Sequence, residues 1–168
     1  MQIKDKTKRL TTFSMLVAVA MILSYVESLI PPLVAVPGVK IGLSNIATVF
    51  ALYTLGIKSA VCVSIVRVSL SALLFGNVAS FIFSISGAML SLAVMILLAR
   101  VGPFSHIGVS AAGGVFHNAG QIIAAVFVLK NAGIFYYLAP LIISGTLTGA
   151  LVGAVAGILV GRLSDKIR

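Results

Sequence analysis

The chain has 168 residues, of which 60% are hydrophobic and only 9% charged, a composition too apolar for a soluble domain of this length. Its net charge of +9 comes largely from bases near the two chain ends, a pattern typical of membrane-topology signals that does not indicate nucleic-acid binding. Because a membrane-crossing helix needs about 20 mostly apolar residues, the length predicts about six spans in a single transmembrane domain, residues 1–168.

Apolar segments separated by turn residues predict six helices. Pro31-Pro32 ends the first segment, Gly76-Asn77 separates the third from the fourth, and Lys130-Asn131 ends the fifth. The predicted spans are residues 10–30, 42–57, 59–75, 78–99, 107–129 and 134–160. The sequence therefore predicts an all-α integral membrane protein built as a bundle of six transmembrane helices.

The distribution of bases predicts the orientation of this bundle. With the amino terminus in the cytoplasm, nine of the twelve bases lie on the cytoplasmic side, and only Lys40 and Lys130 lie outside. Short cytoplasmic loops and ends carry an excess of Lys and Arg in membrane proteins. We therefore expect a multi-pass protein of the cell membrane with both termini in the cytoplasm.

Small residues recur at helical spacing in the first, fourth and sixth spans. The sixth span has a glycine at every fourth position, at Gly145, Gly149, Gly153, Gly157 and Gly161. Small residues let helix backbones approach closely in lipid, so this stripe indicates helix packing, with docking onto a partner protein as the alternative. In the first span, Ser14 and Ala18 fit packing and docking equally well.

One arginine is predicted to lie within the membrane. Arg67 falls near the middle of the third span, where an arginine costs about 2.5–3.5 kcal/mol on insertion scales. Ser64 and Ser71 lie on the same helix face, which must therefore point into the bundle or a polar cavity. Arg67 either bonds free helix carbonyls or contacts an anionic ligand, and the second interpretation is favoured.

A second polar group lies in the middle of the fifth span. His117, Asn118 and Gln121 share one helix face and together offer several hydrogen-bond donors and acceptors. They form either interhelical hydrogen bonds or part of a ligand site. One histidine with two amides is a poor set of metal ligands, so no metal site is expected.

The predicted outer end of the bundle carries one acid. Glu27 lies near the predicted level of Lys40 and Asn45, so Lys40 either pairs with Glu27 or belongs to a ligand lid. The other two acids, Asp5 and Asp165, lie at the chain ends, and no aspartate-rich cluster is present. We therefore expect no catalytic residue and no cofactor.

Three segments resemble a known family. Residues 37–46 (PGVKIGLSNI), 81–87 (FIFSISG) and 115–121 (VFHNAGQ) resemble the Gx transporter family, also labelled heptaprenyl diphosphate synthase component I. That family is similar to the S components of energy-coupling factor (ECF) importers, six-helix membrane proteins that capture micronutrients. The resemblance implies a transmembrane T component and two cytoplasmic ATPases as partners, and docking through Ser14 and Ala18.

The favoured hypothesis is a substrate-binding S component for a small, anionic and partly apolar micronutrient, such as a flavin or a quinone or isoprenoid precursor. The candidate binding residues are Arg67, His117, Asn118, Gln121, Lys40 and Asn45. One alternative is a membrane subunit of heptaprenyl diphosphate synthase. The other is a membrane scaffold that binds no solute.

Overall fold

The computed structural model describes residues 2–30 and 42–167, which fold into six α-helices and one short 3-10 helix. The helices are α1 (Gln2–Ser28), α2 (Asn45–Thr54), α3 (Ile57–Phe75), α4 (Val78–Val101), α5 (His106–Leu129) and α6 (Leu138–Ile167), with the 3-10 helix Ala132–Tyr137 before α6. Every α-helix except α2 is long and apolar enough to cross a membrane. These five helices confirm the predicted all-α membrane fold.

Side-chain caps explain where α4 and α5 begin. Asn77 Oδ1 accepts a hydrogen bond from the backbone N–H of Ser80 at 2.8 Å, and Ser105 Oγ accepts one from Gly108 at 3.2 Å. Such caps satisfy backbone donors that a helix leaves free in its first turn. At the end of α5, Lys130 adopts a left-handed conformation with φ 49°, which turns the chain toward the 3-10 helix.

The second helix is shorter than the predicted span of residues 42–57. It has ten residues and a length of about 15 Å, roughly half the hydrocarbon core. Gly42 and Gly56 flank it with φ angles of +93° and +89°, and such a backbone cannot continue a right-handed helix. A full-length second helical span is therefore not confirmed.

The segment around α2 nevertheless runs antiparallel to α1. Near the carboxyl end of α1, a Glu27 side-chain oxygen accepts a hydrogen bond from the backbone N–H of Gly42. Near the opposite end, Arg9 Nη2 donates to the carbonyl oxygen of Leu55 at 3.1 Å. Residues 42–55 therefore extend along α1 from the level of Glu27 toward the level of Arg9.

Glycines bring α5 into backbone contact with α6. A methyl group added at Gly149 would lie 2.5 Å from the carbonyl oxygen of Ser110, and one at Gly153 would lie 2.6 Å from that of His106. Both distances are shorter than real methyl contacts, so only glycine allows the observed spacing. Close approach of this kind holds helices together where lipid removes the hydrophobic driving force.

The glycine stripe of α6 does not meet a neighbour along its whole length. A methyl group at Gly157 would make ordinary contacts of 3.5 Å or more with the His106 side chain. At Gly161 no atom of the described residues lies within 4 Å. The backbone contact with α5 therefore involves Gly145, Gly149 and Gly153, while the last two glycines of the stripe leave space beside the helix.

The first helix lies at the edge of the bundle and presents a broad uncovered face. Ala20, Ser24 and Glu27 are buried on its inner side. Ser14 and Ala18 are exposed on the opposite side, within a surface of large apolar side chains. The large exposed apolar residues of α1 are Leu10, Met15, Val19, Ile22, Tyr25 and Val26.

Candidate functional site

Polar side chains from five helices meet in the interior of the bundle. Among the predicted site residues, Asn45, Arg67, His117, Asn118 and Gln121 are all buried. Lys40 lies outside the described residues. Four further polar residues with buried side chains lie on the facing helices α1 to α4: Glu27, Thr48, Ser71 and Ser84. We call these nine buried residues the polar cluster.

Arg67 connects the middle of α3 to the start of α2. Its Nη1 donates to Ser44 Oγ, and its Nη2 donates to Asn45 Oδ1 at 3.1 Å. Its Nε has no hydrogen-bond partner among the described residues. The guanidinium group is therefore held by side chains at the start of α2, and its Nε–H stays uncommitted.

Glu27, which was expected at the outer end of the bundle, is buried and lines a small internal cavity. The cavity is lined by Glu27, Gly42, Arg67, Ser84 and His117, among others. Its volume is about 10 Å³, which is space for roughly one water molecule. Glu27 is the only acid outside the chain ends, and it shares this interior cavity with Arg67. Each of the two residues is only 5% exposed to solvent.

Two glycines make room for neighbouring residues of the polar cluster: Gly87 for His117 and Gln121, and Gly42 for Asn45. A methyl group added at Gly87 of α4 would lie 2.6 Å from the carbonyl oxygen of His117 and 2.8 Å from Gln121 Cγ. One added at Gly42 would lie 3.0 Å from Asn45 Nδ2. Gly87 therefore lets α4 close directly over the polar face of α5, while Gly42 leaves space for the Asn45 side chain at the start of α2.

The two amides of α5 differ in how they are satisfied. Asn118 Nδ2 donates to the carbonyl oxygen of Leu141 on α6 at 2.7 Å, which is an interhelical hydrogen bond. Its Oδ1 has no partner among the described residues, and neither polar atom of Gln121 has one. Since each unsatisfied buried polar group costs about 1–3 kcal/mol, α5 keeps hydrogen-bonding capacity that the bundle itself does not use.

One known protein family matches the part of the chain that contains the polar cluster. The family model described as heptaprenyl diphosphate synthase component I matches residues 16–159, which reach from α1 to α6 and include every residue of the polar cluster. The chain belongs to the heptaprenyl diphosphate synthase component I family. No curated protein and no solved structure matches it.

The chemistry available to this member of the component I family is hydrogen bonding and charge. Among the described residues, no group of three or more His, Cys, Asp and Glu side chains comes together in a way that could hold a metal ion. The cluster instead combines one guanidinium, one carboxyl, one imidazole, three amides and several hydroxyls. Such a set can orient a polar head group.

Sequence reasoning did not include five residues of this component I family site among its candidate binding residues: Glu27, Gly42, Thr48, Ser71 and Ser84. Glu27 was expected at the outer end of the bundle, where it was considered as the partner of Lys40. The signal for Glu27 was its position as the only acid at membrane depth, because such an acid usually faces a partner inside the bundle. No comparable signal marked Gly42, whose role depends on a chain reversal that brings it against α1 and α5.

Proposed function

We propose that this chain is the solute-binding membrane subunit of an ECF-type importer for a small, partly apolar micronutrient. The observation that supports the proposal most strongly is the uncommitted hydrogen-bonding capacity of the polar cluster. Gln121 Nε2 and Oε1, Asn118 Oδ1 and Arg67 Nε lack partners among the described residues. Buried polar atoms are nearly always paired, so an interior that leaves four of them free within apolar helices is suited to a bound solute.

Solute entry requires the helices to part, because the cavity beside Arg67 has space for roughly one water molecule. The start of α2 is the element that would move. It is held by the Arg67 guanidinium through Ser44 and Asn45, and by Glu27 through Gly42. These are side-chain contacts that a competing solute can replace, whereas α4, α5 and α6 are in direct backbone contact.

The proposed topology has six crossings and two cytoplasmic termini. Support comes from the antiparallel course of residues 42–55 along α1, which lets α2 and its flanking turns complete the second crossing. The excess of bases at the chain ends and in the predicted inner loops agrees with this orientation. The polar cluster then lies in the outer half of the bundle.

Cysteine labelling checks this topology. In a Cys62→Ala background, we expect Asn131→Cys to react with a membrane-impermeant maleimide in intact cells. Ser105→Cys should react only after the membrane is opened, because the two residues lie at opposite ends of α5. Labelling of both positions in intact cells, or the reverse pattern, would contradict the proposed orientation.

The proposed partners are a T component and two cytoplasmic ATPases, which would supply the energy for transport. The uncovered face of α1 supports a partner at this position, because Ser14 and Ala18 are exposed there between large apolar side chains. Small residues flanked by apolar ones allow another helix to approach closely in lipid.

A bulky side chain on the exposed face of α1 should weaken binding of the proposed partners. We expect Ala18→Trp to reduce copurification of the T component and ATPases by about tenfold. The bulky tryptophan would keep the partner helix from approaching closely, and the lost packing would weaken binding by about 1–2 kcal/mol. Solute retention should be unchanged. The matched control is Ala93→Trp, at an exposed position of α4. Equal losses in both variants would argue against docking through α1.

Native mass spectrometry of the protein freshly purified from cells grown in rich medium tests the proposed function directly. The expected result is a retained small molecule in addition to bound lipid. A chain that carries no such molecule and copurifies with neither T component nor ATPases would contradict the importer proposal and favour a scaffold.

A second candidate is a membrane subunit of heptaprenyl diphosphate synthase, which the family description suggests. One structural feature favours it: an apolar groove of about 450 Å³ between α3 and α4, lined by Ala72, Leu73, Val78 and Phe81 among others. The groove has room for an isoprenoid chain. A synthase partner that elongates farnesyl diphosphate equally well with and without this chain would exclude that role.

A further inference from the structure

Two side chains of opposite charge line one cavity in the interior of the bundle. Glu27 comes from α1 and Arg67 from α3, and each is only 5% exposed. A lone buried charge is strongly unfavourable in an apolar interior, whereas a compensated one is tolerated. The cavity between them has room for roughly one water molecule, so each charge acts on the other through little intervening material.

The hydrogen bonds of both groups are directed at the same segment. Glu27 accepts from the backbone N–H of Gly42, and Arg67 donates to Ser44 and Asn45. Each terminal nitrogen of the guanidinium therefore uses one of its N–H groups to hold the start of α2, so the arginine is fixed in place where it lines the cavity with Glu27. Among the residues that line the cavity, Arg67 Nε and the hydroxyl oxygen of Ser84 have no hydrogen-bond partner in the described part of the chain.

The amide of Gln121 adds a donor and an acceptor that are both unused. Its Nε2 and Oε1 lack partners among the described residues, and the side chain is fully buried. It lies one helical turn after His117, against Gly87 of α4. A carboxamide with both ends free is best satisfied by a group that presents a donor beside an acceptor, as a cyclic amide or imide does.

We infer that Glu27 determines substrate specificity by offsetting the charge of Arg67, so that the site accepts an uncharged head group of the cyclic amide or imide class and disfavours an anion. This inference rests on the proposed importer function. It replaces the anionic solute expected from Arg67 and Lys40, because that expectation did not include a carboxyl group on the same cavity as the arginine. The solute then combines a neutral hydrogen-bonding edge with an apolar body.

Thermal unfolding with a matched pair of small probes tests the inference. Formate and formamide have nearly the same size, but only formate is charged. The full chain in lipid nanodiscs is unfolded by heating in equal concentrations of each, and circular dichroism follows the loss of helix. For the wild type, we expect no higher midpoint in formate than in formamide, because Glu27 disfavours a second negative charge beside Arg67.

Glu27→Gln should create an anion preference. Glutamine keeps the acceptor for the Gly42 N–H but removes the charge, so formate should raise the midpoint by about 3 °C relative to formamide. The double variant Glu27→Gln/Arg67→Met is the control and should show no preference.

If formate raised the unfolding midpoint of the wild-type chain by about 3 °C relative to formamide, the inference would be overturned, even if the variants failed to fold. Equal midpoints in Glu27→Gln would overturn it too. Neither result involves the T component or a retained molecule, so the importer proposal is judged separately by copurification and mass spectrometry.

Discussion

Replacing Arg67 with methionine is expected to lower the free energy of unfolding by about 3–5 kcal/mol. Methionine fills much of the same space, but it leaves the buried Glu27 carboxyl without an opposite charge. It also removes the donor for Ser44 Oγ and Asn45 Oδ1 at the start of α2. Reversible unfolding in mixed micelles, followed by circular dichroism, measures the change. Arg100→Met is the matched control, because Arg100 is exposed on α4 and should change stability by only about 0.5 kcal/mol.

If Glu27 and Arg67 compensate each other's charge, removing both charges should cost less stability than the two single changes together. Glu27→Gln/Arg67→Met removes both charges, so its stability should return to within about 2 kcal/mol of the wild type, well above the sum of the single changes. Solute retention should stay lost in the double variant, because the uncommitted Nε donor of Arg67 is still absent. Strictly additive effects would mean that the two charges do not interact.

This comparison separates the structural role of Arg67 from its proposed binding role. If retention returned together with stability in the double variant, the arginine would matter only for holding α2 in place. If stability returned without retention, the guanidinium itself would be needed for the solute. The interior position of Glu27 makes the comparison possible, since no other acid lies at membrane depth in this sequence.

The long helices were predictable because each is a stretch of apolar residues of membrane-crossing length. The bounds of the predicted spans 78–99 and 107–129 agree with those of α4 and α5 to about two residues at each end. The length of α2 was not predictable in this way, since hydropathy does not register that Gly42 and Gly56 adopt positive φ angles. At Gly42 the conformation accompanies a hydrogen bond from its N–H to Glu27 of α1, a contact that only the folded chain provides.

The interior location of Arg67, His117, Asn118 and Gln121 was also predictable. Polar side chains in the middle of apolar helices must turn away from lipid, and all four are buried. Which groups become neighbours was not predictable, because it depends on how helices far apart in sequence pack. Glu27 illustrates this, since its distance from Arg67 along the chain gives no hint that both line one cavity.

The glycine stripe of α6 yields the second large expected effect. Gly149→Ala should lower the free energy of unfolding by about 1–3 kcal/mol, because the added methyl group would lie 2.5 Å from the carbonyl oxygen of Ser110 and 2.8 Å from Ala111 Cα. Both contacts are with backbone atoms of α5, so no side chain can rotate aside. The helices would have to separate along their whole glycine contact.

The same helix supplies its own control at Gly161. Among the described residues, a methyl group added there would have no atom within 4 Å apart from the neighbouring backbone of α6 itself, so Gly161→Ala should change stability little, or raise it by up to about 1 kcal/mol because alanine favours helix over glycine. Unfolding in mixed micelles compares the two variants directly. Helix propensity acts in the same direction at both positions, so only close packing against α5 can make their effects differ in sign. Equal effects would therefore mean that the glycine contact does not hold α5 and α6 together.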